Sequence, residues 1–317
     1  MSVMTGTTDR VGRAGPATDQ PRRRRRRGRS RELWLPGLFL LPALVVLVGL
    51  RIWPLIESVR LSFTNWDGIS SPKYIGLANY RKLWADPHFR QALLTNGKLL
   101  LALPIFVGLP LVVAAVLQSR IPGWGVFRSV FFFPALLSPA VIALAFQMLL
   151  KQDGAFNAVL RGVGLGSWTR VWLADPNWAL IWVIIIAAWG QVGIGVVVFL
   201  AAMGAVDPEL IDAARIDGAS WFGVQRHVVF RQILPVIELW TVLVLIGVFT
   251  SFFPLILLTT NGGPDYATTT ADLYSYQQAF TNYRSGYASA AAVVIFVITV
   301  ALIGVLLALF SKRRRAS

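Results

Sequence analysis

Six apolar stretches, set apart by polar segments rich in Pro and Gly, organise this chain: about Leu33–Leu55, Leu99–Leu117, Val126–Leu150, Trp178–Met203, Pro235–Leu258 and Tyr287–Phe310. A helix of roughly 20 apolar residues crosses the ~30 Å of bilayer hydrocarbon. The pattern therefore predicts an all-α, polytopic membrane protein with six transmembrane helices. Pro104 and Pro110 fall in the second stretch, Pro134 and Pro139 in the third, Gly190, Gly193 and Gly195 in the fourth, and Pro254 in the fifth. Helix breakers are tolerated in membranes where neighbours or a cavity satisfy the freed backbone groups, and Gly and Pro are in any case commoner there than in soluble helices. Ala288, Ser289, Ala290, Ala291 and Ala292 open the sixth stretch and suit close helix contact.

Composition agrees. Of 317 residues, 56% are hydrophobic and 14% charged, against about 25% charged in a soluble domain. There is no Cys, which excludes a disulfide framework, a thiolate nucleophile and a cysteine metal site. His88 and His227 are the only histidines, too few for a His-rich metal centre, so no metal site is expected.

Most of the net charge of +15 sits at the ends: ten Arg lie before residue 34, six of them in the run Arg22–Arg27, and Lys312–Arg315 supply four more basic residues, while the chain between them is nearly neutral. Residues 1–32 read as a disordered basic tail, 33–311 as the transmembrane domain, and 312–317 as a second basic tail. The tails read as topology signals beside anionic lipid rather than as a nucleic-acid arm. With both ends inside, the inner stretches hold 19 basic residues and the outer loops 10, which fits an N-in, C-in orientation. The first apolar stretch lacks a small-residue cleavage pattern and is expected to remain as a signal anchor.

The segment between the fourth and fifth stretches, 207–234, carries the sharpest local signal. Asp207 is a good N-cap, Pro208 suits the first helical position, and Glu209 complements the positive helix end. Gly218 closes the helix, because glycine turns the chain there without a Cβ penalty. A short, capped, two-turn helix on the cytoplasmic face suits a site that a partner holds.

The residues Asp212-Ala213-Ala214-Arg215-Ile216-Asp217-Gly218-Ala219-Ser220, followed by His227-Val228 and Pro235, resemble the EAA loop of binding-protein-dependent ABC importer permeases. Asp212 stands where Glu is usual, Gln225 where an aromatic is usual, and Phe230-Arg231 where Leu-Pro is usual. Tyr74–Tyr80 with Asp86–Phe89, and Thr260–Pro264 with Thr268-Thr269 and Tyr276–Phe280, are similar to outer segments of the maltose and glycerol-phosphate type of sugar permease. With Ser62-Phe63-Thr64 they resemble the first permease of such systems. The resemblance covers roughly 34–311.

It implies a bacterial cytoplasmic-membrane permease that forms half of a pathway for a di- or oligosaccharide or a glycerol-phosphate-like solute. It further implies a second permease, two ATP-binding subunits and an extracytoplasmic solute-binding protein. Asp212, Ala213, Ala214, Asp217, Gly218 and Ala219 would couple the chain to the ATPase. Asn79, Tyr80 and the segment after Gly262 are expected exposed on the outside, towards the binding protein.

No Gly-x-x-x-x-Gly-Lys-Ser/Thr run occurs, so no ATP cradle is expected in this chain. ATP and Mg would belong to the partner subunits, and the chain is not read as an enzyme. Candidates for the substrate pathway are polar and aromatic residues inside the spans: Gln191 beside Trp189, and Thr250 and Ser251 among Phe249, Phe252 and Phe253, with Gln147 a weaker case. Each serves either a solute or an interhelical hydrogen bond. Glu238, an acid within the fifth stretch, is placed near the cytoplasmic interface.

The alternatives are a secondary transporter and a membrane-embedded enzyme. The first needs acids or histidines at membrane depth for its coupling ion, and the spans offer little beyond Glu238. The second needs an acid and a base that converge, whereas the outer carboxylates are spread over three loops.

Overall fold

The computed structural model describes residues 34–119 and 124–316. The expected disordered tail over 1–32 lies outside the described residues, as does Arg120 of the second inner stretch. The chain forms two compact units, Met1–Pro54 and Leu55–Ser317. In the first, α1 (Trp34–Leu47) passes into a wider π-helical turn, Val48–Ile52. Its side chains from Phe39 to Ile52 are exposed, as suits a helix made for lipid or for another chain.

α2 spans Trp53–Ser62. A two-residue antiparallel pair follows, β1 (Thr64–Asn65) with β2 (Lys73–Tyr74), with Thr64 opposite Tyr74. The rest of the second unit is helical: α3 (Ala78–Ala85), α4 (Pro87–Leu101), α5 (Leu103–Gln118), α6 (Trp124–Phe132), α7 (Pro139–Leu149), α8 (Ala155–Gly162) and α9 (Ala179–Gly204). Then come α10 (Pro208–Ile216), α11 (Trp221–Val224), α12 (Phe230–Gln232), α13 (Leu234–Thr250), α14 (Phe253–Thr259), α15 (Ala271–Tyr276) and α16 (Ser285–Ala316).

Among the described residues four helical stretches are long and apolar enough to cross a membrane: Phe39–Ser62, Pro87–Gln118, Ala179–Gly204 and Ser285–Lys312. The number rises to six if each of two bent pairs is one span: Ser129–Leu136 with Pro139–Leu149, bent by 106°, and Trp221–Gln232 with Leu234–Thr250, bent by 73°.

The second stretch starts well before Leu99, because Asp86 caps α4. Its Oδ1 accepts from the His88 amide at 2.8 Å and the Phe89 amide at 3.4 Å, and Pro87 takes the first helical position. The third stretch is broken at Leu137–Ser138, where the Ser138 hydroxyl caps α7 by accepting from the Val141 amide and Pro139 opens the new helix. The fifth is also two helices. α13 ends at Thr250 and α14 begins at Phe253, with Pro254 in its first turn, where the missing N–H costs no helical bond. At the far end, the basic segment expected as a tail from Lys312 continues the α16 backbone as helix to Ala316.

The fourth stretch is not broken by its glycines. α9 runs for 26 residues, and these positions admit close neighbours instead. A Cβ on Gly193 would lie 2.7 Å from the Phe131 carbonyl oxygen, and one on Gly195 would lie 2.7 Å from Pro110 and 3.0 Å from Trp240. α5, α9 and α13 therefore meet closely around buried Phe106, Ala114, Ile186, Phe199 and Val248, and the Trp240 indole N–H donates to the Phe106 carbonyl at 3.3 Å. In α16, Ala288, Ala290 and Ala291 are buried, so the small residues there serve packing. Replacing Gly195 by Leu should overpack this three-helix contact and cost about 1–3 kcal/mol. The check is the thermal melting temperature of the detergent-solubilised protein; an unchanged value would show that Pro110 and Trp240 give way freely.

Candidate functional site

The helix α10 forms as its end signals require. The Asp207 carboxylate accepts from the Glu209 amide at 3.0 Å. At the other end Gly218 adopts φ +82°, its amide donates to the Arg215 carbonyl at 3.0 Å, and the Ala219 amide donates to the Ala214 carbonyl at 2.9 Å. These paired bonds close a helix through a left-handed residue. A Cβ on Gly218 would meet nothing within 4 Å, so what demands glycine there is backbone conformation alone.

Asp212, Ala213, Asp217, Gly218 and Ala219 are exposed, and Asp212 holds Arg215 at 3.3 Å across one turn. Ala214 points the other way and packs with Ile211 on the core. Beside this polar face Ile216 is 87% exposed, Phe222 61% and Trp221 47%. A cavity of about 650 Å³ opens between α10 and the end of α5, lined by Gln118, Ile211, Asp212, Arg215, Trp221 and Gln225 among others. The Trp221 indole N–H donates to the Ser119 hydroxyl at 2.9 Å, and Gln225 donates to Gln118 at 3.2 Å. The loop is thereby fastened to α5. Glu238 is buried near the start of α13.

Within the apolar layers, the break between α13 and α14 faces α7 and α9 across a cavity of about 330 Å³. Gln191, Ser251 and Phe252 line it together with Gly190, Pro139 and Ile142. Two of the expected pathway residues lie apart from it. Trp189 lines a different, almost wholly apolar cavity of about 350 Å³ and meets Phe146 edge to face at 5.4 Å, since neighbours on a helix point about 100° apart. The Thr250 hydroxyl turns back on its own helix, donating to the Ile246 carbonyl at 2.9 Å, and lies 3.4 Å from the Ser251 hydroxyl. Gln147 reaches the Thr259 carbonyl at 3.5 Å.

The segments expected on the outside are more tightly built than exposure to a partner requires. Asn79 is buried, and its amide donates to the Ser62 and Thr64 carbonyls at 2.9 and 2.8 Å. Thr268 and Thr269 are also buried, with hydroxyls donating to the Gly263 and Gly262 carbonyls. These three hold the loops in shape, contrary to their expected exposure, because short polar side chains beside a tight turn bond its backbone. Tyr266 stacks on His88 at 4.0 Å. A cavity of about 410 Å³, its lining part polar and part apolar, is bounded there by Asn261, Asp265, Tyr266, Tyr276 and Gln277 among others.

The Asp86 carboxylate that caps α4 also accepts from Tyr274 at 2.6 Å and Tyr287 at 3.2 Å. Partial burial disfavours its charge, but the bonds from Tyr274, the His88 amide and Tyr287 outweigh that and hold its pKa below the ordinary carboxylate value. Burial first, then the bond to Asp86, pushes the Tyr274 phenol up. Burial also pushes Asp272 up.

Asn96 escapes a reading that counts apolar runs, because it sits just ahead of Leu99. It is 1% exposed, donates to the Val248 carbonyl at 2.9 Å and accepts from the Ala271 amide at 2.8 Å. The sequence signal was an Asn within the first turns of a long membrane helix. Among the described residues no group of three or more His, Asp or Glu could hold a metal ion.

Comparison with known proteins bears on this arrangement. Over 275 residues the chain is 38% identical to the probable ABC transporter permease protein YurN of Bacillus subtilis, covering 84% of this chain and 93% of that protein. It is 31% identical over 279 residues to the multiple sugar-binding transport system permease protein MsmF of Streptococcus mutans, covering 87% and 94%. In fold it is similar to a chain of a bacterial ABC transporter involved in the import of the acidic polysaccharide alginate, with a TM-score of 0.78 at 21% identity, over 89% of this chain and 96% of that one. A family described as binding-protein-dependent transport system inner membrane component matches residues 77–316. A multi-pass chain with a capped loop helix ahead of α13, aligned over nearly its full length with ABC permeases, belongs to that family of inner-membrane transport components.

Proposed function

We propose that this chain is one of two permeases of an ATP-driven importer for a sugar or sugar-like solute, in a bacterial cytoplasmic membrane. In this reading each bent pair is one span, giving six with both ends inside, and α10 lies on the cytoplasmic face as the coupling helix. The observation that carries it is the exposed surface of α10 and its neighbour: a rigidly capped helix with Ile216 uncovered at its end and Trp221 and Phe222 uncovered beside it. An apolar patch rimmed by polar residues marks a protein contact, and here the contact is one of two ATP-binding subunits. The substrate class rests on the kinship with MsmF and on a cavity that offers an amide, a hydroxyl and an aromatic ring rather than charge.

The chain's own task is mechanical. ATP and Mg act in the partner subunits, and closure there moves α10 as a rigid lever, because Trp221 and Gln225 fasten its loop to the end of α5. The motion changes which side of the membrane the pathway opens to, the rocking logic general to transporters. Gln191, Ser251 and Phe252 form this chain's half of the pathway, with Thr250 supporting Ser251 and Trp189 packing behind. A solute-binding protein outside delivers to the segment after Gly262.

Purification of the tagged chain from solubilised membranes should retain a second multi-span protein and a Walker-motif ATPase. A chain recovered alone that moves solute in vesicles without ATP would overturn the reading. Replacing Gly218 by Val forces a β-branched residue to positive φ, at a cost of about 1–2 kcal/mol for the left-handed region. The loop end should distort, and transport should fall while ATP hydrolysis continues. Normal uptake with normal ATPase stimulation would remove α10 from coupling. Replacing Ser251 by Phe should fill the cavity and lower uptake at least ~10-fold, the scale of about 1.4 kcal/mol, with the complex still assembling. Unchanged uptake kinetics would take Ser251 out of the pathway.

A further inference from the structure

The break that presents Ser251 and Phe252 is held from outside its own helix. At the end of α13 the amides of Ser251 and Phe252 both bond to the Gly247 carbonyl, at 2.8 and 3.3 Å. The Val248 carbonyl thus loses the Phe252 amide that an unbroken α-helix would give it. The first amide of α15, that of Ala271, likewise has no partner within its own helix, and the side chain of the α15 N-cap Thr270 caps none of that helix's amides. One side chain answers both groups. Asn96 on α4 donates to the Val248 carbonyl and accepts from the Ala271 amide, at 2.9 and 2.8 Å, with 1% of its surface exposed.

α15 is in turn anchored on its outer side. Tyr274 bonds Asp86 at the start of α4, and Ser275 donates to the Ala288 carbonyl of α16 at 3.0 Å. Two bonds ten residues apart on α4 therefore clamp α15 to it, and the inner one continues into the break of α13.

We infer that Asn96 is a positioning residue that links the outer segment 260–276 to the Ser251–Phe252 break, so that movement of that segment is passed to the pathway. The inference rests on the proposed role of Ser251. A leucine of similar size at this position leaves a carbonyl and an amide unpaired in a buried site, and the break loses its tie to α15.

The chain has no Cys, so a single Ser251→Cys substitution gives it one reportable thiol. The assembled complex in proteoliposomes is treated with a membrane-impermeant thiosulfonate, nucleotide-free and again with ATP, Mg²⁺ and vanadate. With Asn96 intact, the labelling rate should differ roughly tenfold between the two states, the effect of a shift of about 1.4 kcal/mol in the population of the accessible form. Asn96→Leu should shrink that difference below about twofold, while Ser71→Cys, on the exposed outer loop, labels as before. Asn96→Ser serves if the Leu variant fails to assemble. Its hydroxyl and the vacated space admit a water to both backbone groups, which keeps them satisfied without the direct link, and it should give an intermediate difference. A tenfold difference preserved in either variant overturns the linking role alone. Equal labelling in the two states with Asn96 intact overturns the pathway role of Ser251, and the linking role with it.

Discussion

Every backbone N–H and C=O placed in hydrocarbon has to find a partner inside the protein, because an unpaired group there costs several kcal/mol. That constraint decides where this chain can be irregular. Two interruptions within the apolar stretches are supplied with partners. At Leu137–Ser138 the Ser138 hydroxyl takes an amide of the new helix. At Ser251–Phe252 the loosened turn shares the Gly247 carbonyl, and Asn96 takes the carbonyl left over. The two breaks lie on either side of the cavity that holds Gln191 and Ser251. Irregular backbone in a membrane belongs where it lines such a space.

The same accounting explains the segments that follow α14 and α15. They hold five residues with φ near +46° to +86° between Asn261 and Tyr283, a costly conformation for any residue but glycine. Buried threonines and the Asp86–Tyr274–Tyr287 cluster fix the surrounding chain. A loop so constrained keeps one shape, so little order is left to lose if it is bound. α10 uses cheaper means to the same end. An N-cap and a left-handed glycine close it, side-chain bonds from Trp221 and Gln225 fasten the turns that follow to the end of α5, and Ile216 and Phe222 stay uncovered.

Much of this was legible in the residue order. Spans declare themselves by length and hydropathy, since insertion in lipid is a property of composition over about 20 residues. The capped helix over 208–216 is a local feature, set by Asp207, Pro208 and Gly218, and it forms where those residues place it. The resemblance of the 212–220 segment pointed to the right family for the same reason, because that resemblance is carried by a short contiguous stretch. The glycines of α9 were less legible. Gly193 and Gly195 are the same letters whether a helix breaks or is merely approached, and only the proximity of Phe131, Pro110 and Trp240 tells which.

By itself the sequence determined the helical class, the family and the loop helix, because each depends on residues near one another in the chain. The tertiary structure alone decided that Gln191 and Ser251 share a cavity while Trp189 and Thr250 lie apart, that Asn79 is buried, and that Asn96 joins groups 152 and 175 residues away. Those pairings follow from which helix faces meet and which backbone groups their breaks leave open, and neither is written in any local pattern.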